Sequence, residues 1–323
     1  MPNWEQVINE IALQQNGLLA QGQIALQQAQ AQAAQAVGTI RKKYLQALAN
    51  KTQRNVIAYY SGFLSKPDLA LLDITDEDKN GFMMASHEID RTKGLDLFLH
   101  TPGGRMSATV SIVDYLHKIF GKDIRAIVPQ MAMSAGTMIA CSCREIFMGT
   151  HSNLGPIDPQ LRGLAAAGVI QEFKQAAREI KRDTTRVAIW QPILSKYYPT
   201  FLSECENAIK WSSDFVRRQL ETVMFEGLPD AEDRARQAVK ALTNYRGNRG
   251  HDRHLHYDDC VAMKLKVSRI EDDKEFQDLV LTIHHCYMHS LANTPTFKII
   301  ENQLGRGFAK IQSPPQPPPR QPQ

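Results

Sequence analysis

The chain has 323 residues, of which 43% are hydrophobic, and its formal net charge at pH 7 is +4. That length allows one substantial hydrophobic core with additional segments, or two modest domains. The positive charge is too small to predict nucleic-acid binding, which normally depends on a strongly basic surface.

The chain contains five cysteines, at positions 141, 143, 205, 260 and 286. Their scattered positions and odd number predict free thiols in a reducing compartment rather than a disulfide framework. The N-terminal residues lack the basic flank and apolar core of a secretory signal. The sequence contains no run of about eighteen apolar residues, which is the pattern that predicts a membrane-spanning helix. We therefore expect a cytoplasmic protein without a transmembrane segment.

Residues 1–52 form a segment rich in glutamine and alanine, two residue types that favour helices. Its apolar stripe is thin, so a long helix formed here needs a partner surface. The heptad pattern is poor, and two interpretations stay open. The helix either self-associates as a coiled coil or lies on the main body of the protein.

From residue 53 the sequence changes to short apolar runs that alternate with helical patterns. The runs that indicate buried strands are residues 55–62, 96–101, 124–129 and 145–149. Apolar residues at helical spacing predict a helix over residues 106–120, and a second helix follows over 134–143. This alternation predicts an α/β fold with a parallel sheet and right-handed crossovers.

The patterns in the later part of the chain predict mainly helices. The predicted helices are residues 170–182, 203–224, 230–242 and 272–295, and a helix leading into a strand is predicted near residues 258–267. We assign residues 53–270 to the core domain and residues 271–311 to a C-terminal helical extension. The proline-rich residues 312–323 are expected to form a disordered tail.

The first motif that could take part in catalysis is HTPGG, residues 100–104, at the end of the second predicted strand. Gly103 and Gly104 allow a sharp turn whose N–H groups are not shielded by side chains. Exposed backbone donors at a strand end can stabilise a developing oxyanion. An ordinary turn is the alternative interpretation of the same residues.

The second motif, MAMSAGTMIA, places Ser134 between a strand and an apolar helix. Its small neighbours permit a tight turn that presents the hydroxyl at the helix N-terminus and leaves the N–H of Ala135 free. Because serine is a common N-cap residue, Ser134 could instead serve only to start the helix.

The third motif, NLGPIDPQL, follows the next predicted strand. Pro156 and Pro159 fix its backbone, which suits the wall of a substrate groove or a subunit contact. Asp158 could act as a catalytic acid or cap a turn. We assign Gly103, Pro156 and Asp158 to substrate binding.

Together, HTPGGRM, AMSAGTMIA and SNLGPIDPQ resemble the serine dehydrogenase proteinase family. That family belongs with the Clp proteolytic subunit and signal peptide peptidase A superfamily. The resemblance covers roughly residues 53–270 and implies a Clp/crotonase-type fold. It also implies that Ser134 is the nucleophile and that the amides of Gly104 and Ala135 form the oxyanion hole.

A serine nucleophile needs a base, because its hydroxyl is weakly nucleophilic at neutral pH. The resemblance offers two kinds of base: a histidine just after the strand that follows the serine helix, or a lysine on a later helix. His151 is the histidine of that region, but it comes several residues too early. Lys174, about forty residues after Ser134, better resembles the lysine position. Lys174 is therefore the predicted base, with Lys181 and His151 as alternatives.

The predicted function is that of a serine endopeptidase with a Ser–Lys dyad that acts on peptide or protein substrates. The resemblance further implies a homo-oligomer. Two alternatives stay open: a crotonase-like acyl-CoA hydratase or hydrolase, and a catalytically silent scaffold. In the scaffold, the N-terminal helix and the proline-rich tail would be the interaction surfaces.

Two histidine-rich stretches raise the question of a metal. His251, His254 and His256 lie close together, and His285 and His289 share a helical face in the second stretch. Neither stretch has the paired spacing of structural zinc sites, so we expect no metal. The chain also lacks a G-x-G-x-x-G fingerprint that opens a helix, and it lacks an ATPase phosphate-binding motif. We expect no cofactor.

Overall fold

The computed structural model describes residues 26–244, 247 and 250–312. The first half of the predicted N-terminal extension and the proline-rich tail lie outside the described residues. Residues 26–52 form a helix, as the sequence predicts. No helix within the described part of the chain is long and apolar enough to cross a membrane.

The elements are numbered here in chain order. The strands are β1 Asn55–Ser61, β2 Leu95–His100, β3 Ile124–Val128, β4 Met131–Ala132, β5 Glu145–Met148, β6 Asn153–Leu154, β7 Gln160–Leu161, β8 Leu164–Ala165, β9 Val267–Arg269, β10 Thr296–Asn302 and β11 Gly307–Ile311. The helices are α1 Leu26–Thr52, α2 Asp78–Ala85, α3 Met106–Phe120, α4 Ala135–Cys141, α5 Ala166–Arg182, α6 Val187–Leu194, α7 Phe201–Gln219, α8 Ala231–Leu242, α9 Tyr257–Ala262 and α10 Lys274–Asn293.

A seven-stranded sheet organises the fold, in the order β11-β10-β1-β2-β3-β5-β9. Within this sheet, the successive strands β1, β2, β3, β5 and β9 pair in parallel. Strand β10 pairs antiparallel with β1, and β11 pairs antiparallel with β10. All residues of β1 and β2 are buried, as expected for parallel strands covered on both faces. The predicted α/β class, with a mainly parallel sheet and crossover helices, is confirmed.

Successive strand residues face opposite sides of the sheet, so the sheet separates two apolar layers. On one face, Ile57 and Leu97 pack with residues of α3, α4 and α7. On the other face, Val56 and Phe98 pack with residues of α1 and α10. Within the described residues, the N-terminal extension therefore packs on the body of the protein through Leu45 and its neighbours.

The C-terminal segment differs from its prediction. Residues 271–311 were predicted to be helical, but they contain α10 followed by the hairpin β10–β11, and β10 pairs directly with β1. The strand pattern is hidden because Lys298 interrupts the apolar run, although its side chain is fully buried. An internal charge of this kind requires a partner.

That partner is Asp78, whose carboxylate lies 2.9 Å from Lys298 Nζ, with both side chains fully buried. The Asp78 carboxylate also accepts hydrogen bonds from Tyr59 Oη at 3.0 Å and from the Thr75 amide at 2.9 Å. Lys298 Nζ donates to the Asp73 carbonyl oxygen at 2.7 Å. The hairpin is thereby tied to the loop of residues 72–78, which leads to the candidate site.

Helices α5 and α7 pack against each other as a helical arm. Ala166 and Val169 of α5 meet Phe201 and Cys205 of α7 in a small apolar cluster separate from the two main layers. Helix α7 then continues into a π-helical turn at Leu220–Met224. The arm consequently has its own core while one of its faces borders the site described next.

Candidate active site

Ser134 occupies a strained turn between β4 and α4. Its backbone has φ 50° and ψ −110°, a conformation that non-glycine residues rarely adopt. Such a residue costs about 1–3 kcal/mol and persists where its surroundings enforce it, commonly at active sites. The Ser134 side chain makes no capping hydrogen bond to the helix. The simple helix-cap interpretation of this serine is therefore not supported.

Two glycines from different loops press on this turn. A Cβ atom at Gly103 would lie 2.8 Å from Ser134 Cβ and 2.9 Å from the Met133 carbonyl oxygen. A Cβ atom at Gly155 would lie 3.0 Å from the Ser134 amide nitrogen. The Gly136 amide closes the turn by donating to the Met133 carbonyl at 2.7 Å. Close backbone packing thus holds Ser134 in its strained conformation.

The predicted oxyanion donors lie beside Ser134. Ile74 fixes the glycine loop, because its amide donates to the Gly103 carbonyl at 2.7 Å and its carbonyl accepts from the Arg105 amide at 2.9 Å. Gly104 and Ala135 line the same cleft as Ser134. Among the residues that the structure describes, no acceptor takes the amide proton of either one. Two backbone amides without an acceptor among the described residues therefore border the cleft beside Ser134.

Gly103 and Pro156 do not line the cleft in the way the sequence predicts. The Gly103 amide donates to Thr101 Oγ1 at 3.2 Å, and the residue acts as a spacer against Ser134. Pro156 is buried and is not among the lining residues, whereas its neighbours Ile157 and Asp158 are. Of the three residues assigned to substrate binding, only Asp158 borders the cleft.

The cleft has a volume of about 610 Å³. Its apolar lining comes from Met106, Met138, Ile157, Leu161 and Trp211. Its titratable lining comes from Asp73, Arg105, Asp158 and His251. Of these four residues, the sequence predicts only Asp158 at the site; Asp73, Arg105 and His251 are brought there by the fold.

Asp158 and His251 each bring an unpaired atom to the cleft. Asp158 is 5% exposed, and its Oδ1 is buried without a hydrogen-bond partner among the described residues. Its Oδ2 accepts from Gln160 Nε2 at 3.2 Å. Burial raises the pKa of the Asp158 carboxyl, and the proximity of His251 opposes the rise. His251 Nδ1 is likewise buried without a partner in the described part of the chain.

A backbone bridge places His251 near Asp158, although the two lie far apart in sequence. Leu154 and Leu255 exchange two hydrogen bonds, each 2.9 Å long. The segment that follows His251 is therefore attached to the loop that carries Asp158. A hydroxyl, a carboxylate and an imidazole consequently border one cleft, together with two free amides.

The predicted bases do not join this group. Lys174 lies on α5 with an exposed side chain, and Lys181 near the end of that helix is also exposed. Neither lysine is among the lining residues of the cleft. His151 is half-buried beside Glu271, away from the lining residues, and burial lowers the pKa of its ring. The structure gives the predicted Ser–Lys dyad no support.

The histidine-rich stretches do not form a metal site in the described residues. There, no group of three or more His, Cys, Asp or Glu side chains is arranged to hold a metal ion. His284 is buried instead among aromatic rings, and its Nδ1 lies 3.3 Å from Tyr60 Oη.

A mainly parallel α/β sheet with a strained serine at the start of a helix agrees with the Clp/crotonase-type fold that the sequence resemblance implies. The chain belongs to the family of ClpP-like SDH-type serine proteinases, whose model matches residues 22–300. The resemblance to the serine dehydrogenase proteinase family is therefore confirmed, and with it the fold class.

Individual relatives match shorter stretches. An uncharacterized protein of Methanocaldococcus jannaschii is 34% identical over 152 residues, which cover 46% of this chain and 52% of the relative. A second uncharacterized protein of that organism is 26% identical over 225 residues, or 69% of this chain and 67% of the relative. The ATP-dependent Clp protease proteolytic subunit of Streptococcus thermophilus is 47% identical over 53 residues, 16% of this chain and 26% of that protein. The chain thus spans about half the length of the first relative.

The packing around Ser134 predicts a severe effect for Gly103→Ala. The added Cβ would lie too close to Ser134, and residue 103 has φ +108°, a conformation that side chains rarely permit. The turn or the Gly104 amide must therefore shift. Loss of one oxyanion donor typically costs about a hundred- to a thousandfold in rate. We expect a comparable drop in the rate of Ser134 labelling by a fluorophosphonate probe.

Gly227→Ala is the matched control for this substitution. Gly227 also has a positive φ, +79°, but a Cβ there meets nothing within 4 Å. It should carry a similar backbone cost, about 1–2 kcal/mol, and retain the wild-type labelling rate. Equal labelling rates in the two variants would contradict the packing argument.

The raised pKa of Asp158 predicts a pH-dependent effect of Asp158→Asn on stability. The native protein binds this proton more tightly than the unfolded chain does. Wild-type stability therefore falls, relative to the variant, as pH rises from the ordinary Asp range through the raised native pKa. When melting temperatures are measured from acidic to neutral pH, the melting temperature of the variant should rise relative to that of wild type.

Asp114→Asn provides a control of opposite sign. Asp114 is exposed, and the Lys118 ammonium lowers the pKa of its carboxyl. Wild type should therefore gain stability over Asp114→Asn as pH rises through the acidic range. Parallel melting curves for Asp158→Asn and wild type at all pH values would refute the predicted burial effect.

Proposed function

We propose that the chain is a serine endopeptidase that cleaves peptide bonds through an acyl-enzyme on Ser134. The observation that carries the proposal is the strained Ser134 turn, which borders a cleft shared with two backbone amides that have no acceptor among the described residues. Family membership supports the reaction class. The chemistry that such a site suits is acyl transfer, which needs a nucleophile, a base and oxyanion donors.

In the proposed mechanism, His251 takes the proton from Ser134 Oγ as that oxygen attacks the scissile carbonyl carbon. The amides of Gly104 and Ala135 hold the developing oxyanion. His251 then gives the proton to the leaving amine as the C–N bond breaks. Water, deprotonated by the same imidazole, attacks the acyl carbonyl. The bond between the acyl carbon and Ser134 Oγ then breaks, the imidazolium returns its proton to Oγ, and the carboxylic acid product leaves.

Asp158 has the role of orienting His251 and stabilising its imidazolium form. Both groups bring buried, unpaired atoms to the cleft, and the Asp158 carboxyl is close enough for His251 to influence its pKa. A buried carboxylate beside an imidazole favours the protonated ring that forms during acyl transfer. The order along the chain is then Ser134, Asp158, His251.

We favour His251 over the Lys174 base that the sequence predicts. A lysine acts as a base only when neutral, which requires that burial lower its pKa toward 7 or 8. Lys174 is exposed on α5 and does not line the cleft. Nothing in its surroundings supplies that burial.

The base assignment is tested by measuring fluorophosphonate labelling and peptide hydrolysis in three variants. Ser134→Ala should abolish both activities. His251→Gln should lower both rates by about a hundredfold or more, the usual contribution of a general base. Lys174→Met, the matched control, should retain the wild-type rates, and melting temperatures verify folding in each case.

Each alternative predicts a different result in the same experiment. Loss of activity in Lys174→Met with retention in His251→Gln would restore the Ser–Lys dyad. Absence of labelling in the wild-type protein would overturn the peptidase and favour the acyl-CoA enzyme or the scaffold.

We extend the proposal to a homo-oligomer. Helix α2 packs beside the edge strand β11, and this region presents Met83, Met84 and Ile311, each about half-exposed or more. Exposed apolar side chains next to an open sheet edge favour association between copies. Mass measured in solution should be a multiple of the single-chain mass, and Met83→Ser with Ile311→Ser should lower it. A single-chain mass for wild type would contradict this extension.

A further inference from the structure

The cleft at Ser134 continues across helix α7. Leu161, Ala208 and Trp211 line the cleft, and the same three residues line a second, more open depression of about 610 Å³. The remaining lining of this outer depression consists of Glu204, Asn207, Lys210 and Asp214. The two depressions therefore form one groove, with Trp211 at their junction.

Trp211 is unusually placed for a tryptophan. It is 49% exposed, whereas Trp190 on the neighbouring helix is 8% exposed. The next residue, Ser212, is buried, so helix α7 is packed against the protein on one side and exposes the indole on the other. An exposed indole in a groove offers a flat apolar face that also attracts cations through its ring electrons.

The groove carries an excess of carboxylates. Asp73 and Asp158 line its inner part and Glu204 and Asp214 its outer part, against the two cationic side chains Arg105 and Lys210. Hydrogen bonds from Tyr198 and Thr200, together with the nearby Arg162 guanidinium, lower the pKa of Glu204. Asp214 is exposed, with the nearest guanidinium nitrogen, that of Arg217, 4.0 Å away.

We propose that the outer depression is a subsite for a basic side chain of an extended peptide, with the cation over Trp211 and beside Asp214. This inference rests on the proposed function, because the peptide that reaches the outer subsite is the one presented to Ser134. An arginine fits better than a lysine, since its planar guanidinium stacks on an indole and is less strongly hydrated. The substrates selected are then extended, arginine-containing polypeptides.

The test measures peptide binding to the Ser134→Ala protein, so that no turnover is required. Fluorescent peptides of about ten residues, which span about 33 Å when extended, carry one arginine at each position in turn. Matched peptides carry glutamine or glutamate at the same position. We expect arginine at one position to lower the Kd about fivefold relative to glutamine, the scale of a cation–π contact at a partly exposed site. Glutamate there should weaken binding.

Variants of the groove identify the origin of the preference. Adding Trp211→Ala should bring the arginine-to-glutamine ratio near one, and Trp211→Phe should restore part of it. Adding Asp214→Asn should reduce the ratio and its salt dependence. Ile189→Ala, an equally exposed apolar residue on α6 outside the groove, should leave the ratio unchanged.

The failure of this inference is distinguishable from failure of the proposed function. Equal affinities for the arginine and glutamine peptides at every position, or a ratio that survives Trp211→Ala, would overturn the subsite. A Trp211-dependent preference for arginine, combined with no hydrolysis and no probe labelling by wild type, would retain the subsite and remove the peptidase. Cleavage by wild type without any such preference would do the reverse.

Discussion

The candidate site depends on one constraint, the enforced backbone conformation of Ser134. Its turn follows the short strand β4, which comes after β3, and the glycines that pack on it lie in the segments after β2 and β5, the two neighbours of β3 in the sheet. Parallel neighbours end at the same edge of a sheet, so the sheet order itself brings Gly103 and Gly155 to either side of the serine. The strain, the free amides and the cleft all follow from that convergence.

Local sequence patterns predict this part of the molecule well, because strand, turn and helix signals there are short-range. The predicted helix over residues 106–120 has the observed bounds, and Ser134, Gly104 and Ala135 lie together as expected. His251 escaped prediction because its position depends on the bridge between Leu154 and Leu255, about a hundred residues apart in sequence. The family resemblance likewise implied a lysine base from its position in the chain, and that position contains no information on side-chain exposure.

The helical arm determines how much of the cleft is available to a ligand. Helix α7 supplies one wall of the cleft through Ala208, Trp211 and Ser212, whereas α5 contributes no lining residue. The same helix packs into the main apolar layer through Phe215 and Val216, in addition to the small cluster that it shares with α5. The wall that carries Trp211 is therefore held between the α5–α7 cluster and the body of the protein.

The position of β10 in the sheet also affects how the molecule forms during synthesis. Lys298 on this strand neutralises Asp78, and the loop ending at Asp78 fixes the glycine loop through Ile74. The ribosome makes every residue of the cleft before it makes Lys298. A nascent chain at that stage therefore contains every residue of the cleft but lacks the strand that anchors the loop of residues 72–78. The Lys298–Asp78 pair, and the support that it gives to the glycine loop, can form only after translation has passed β10.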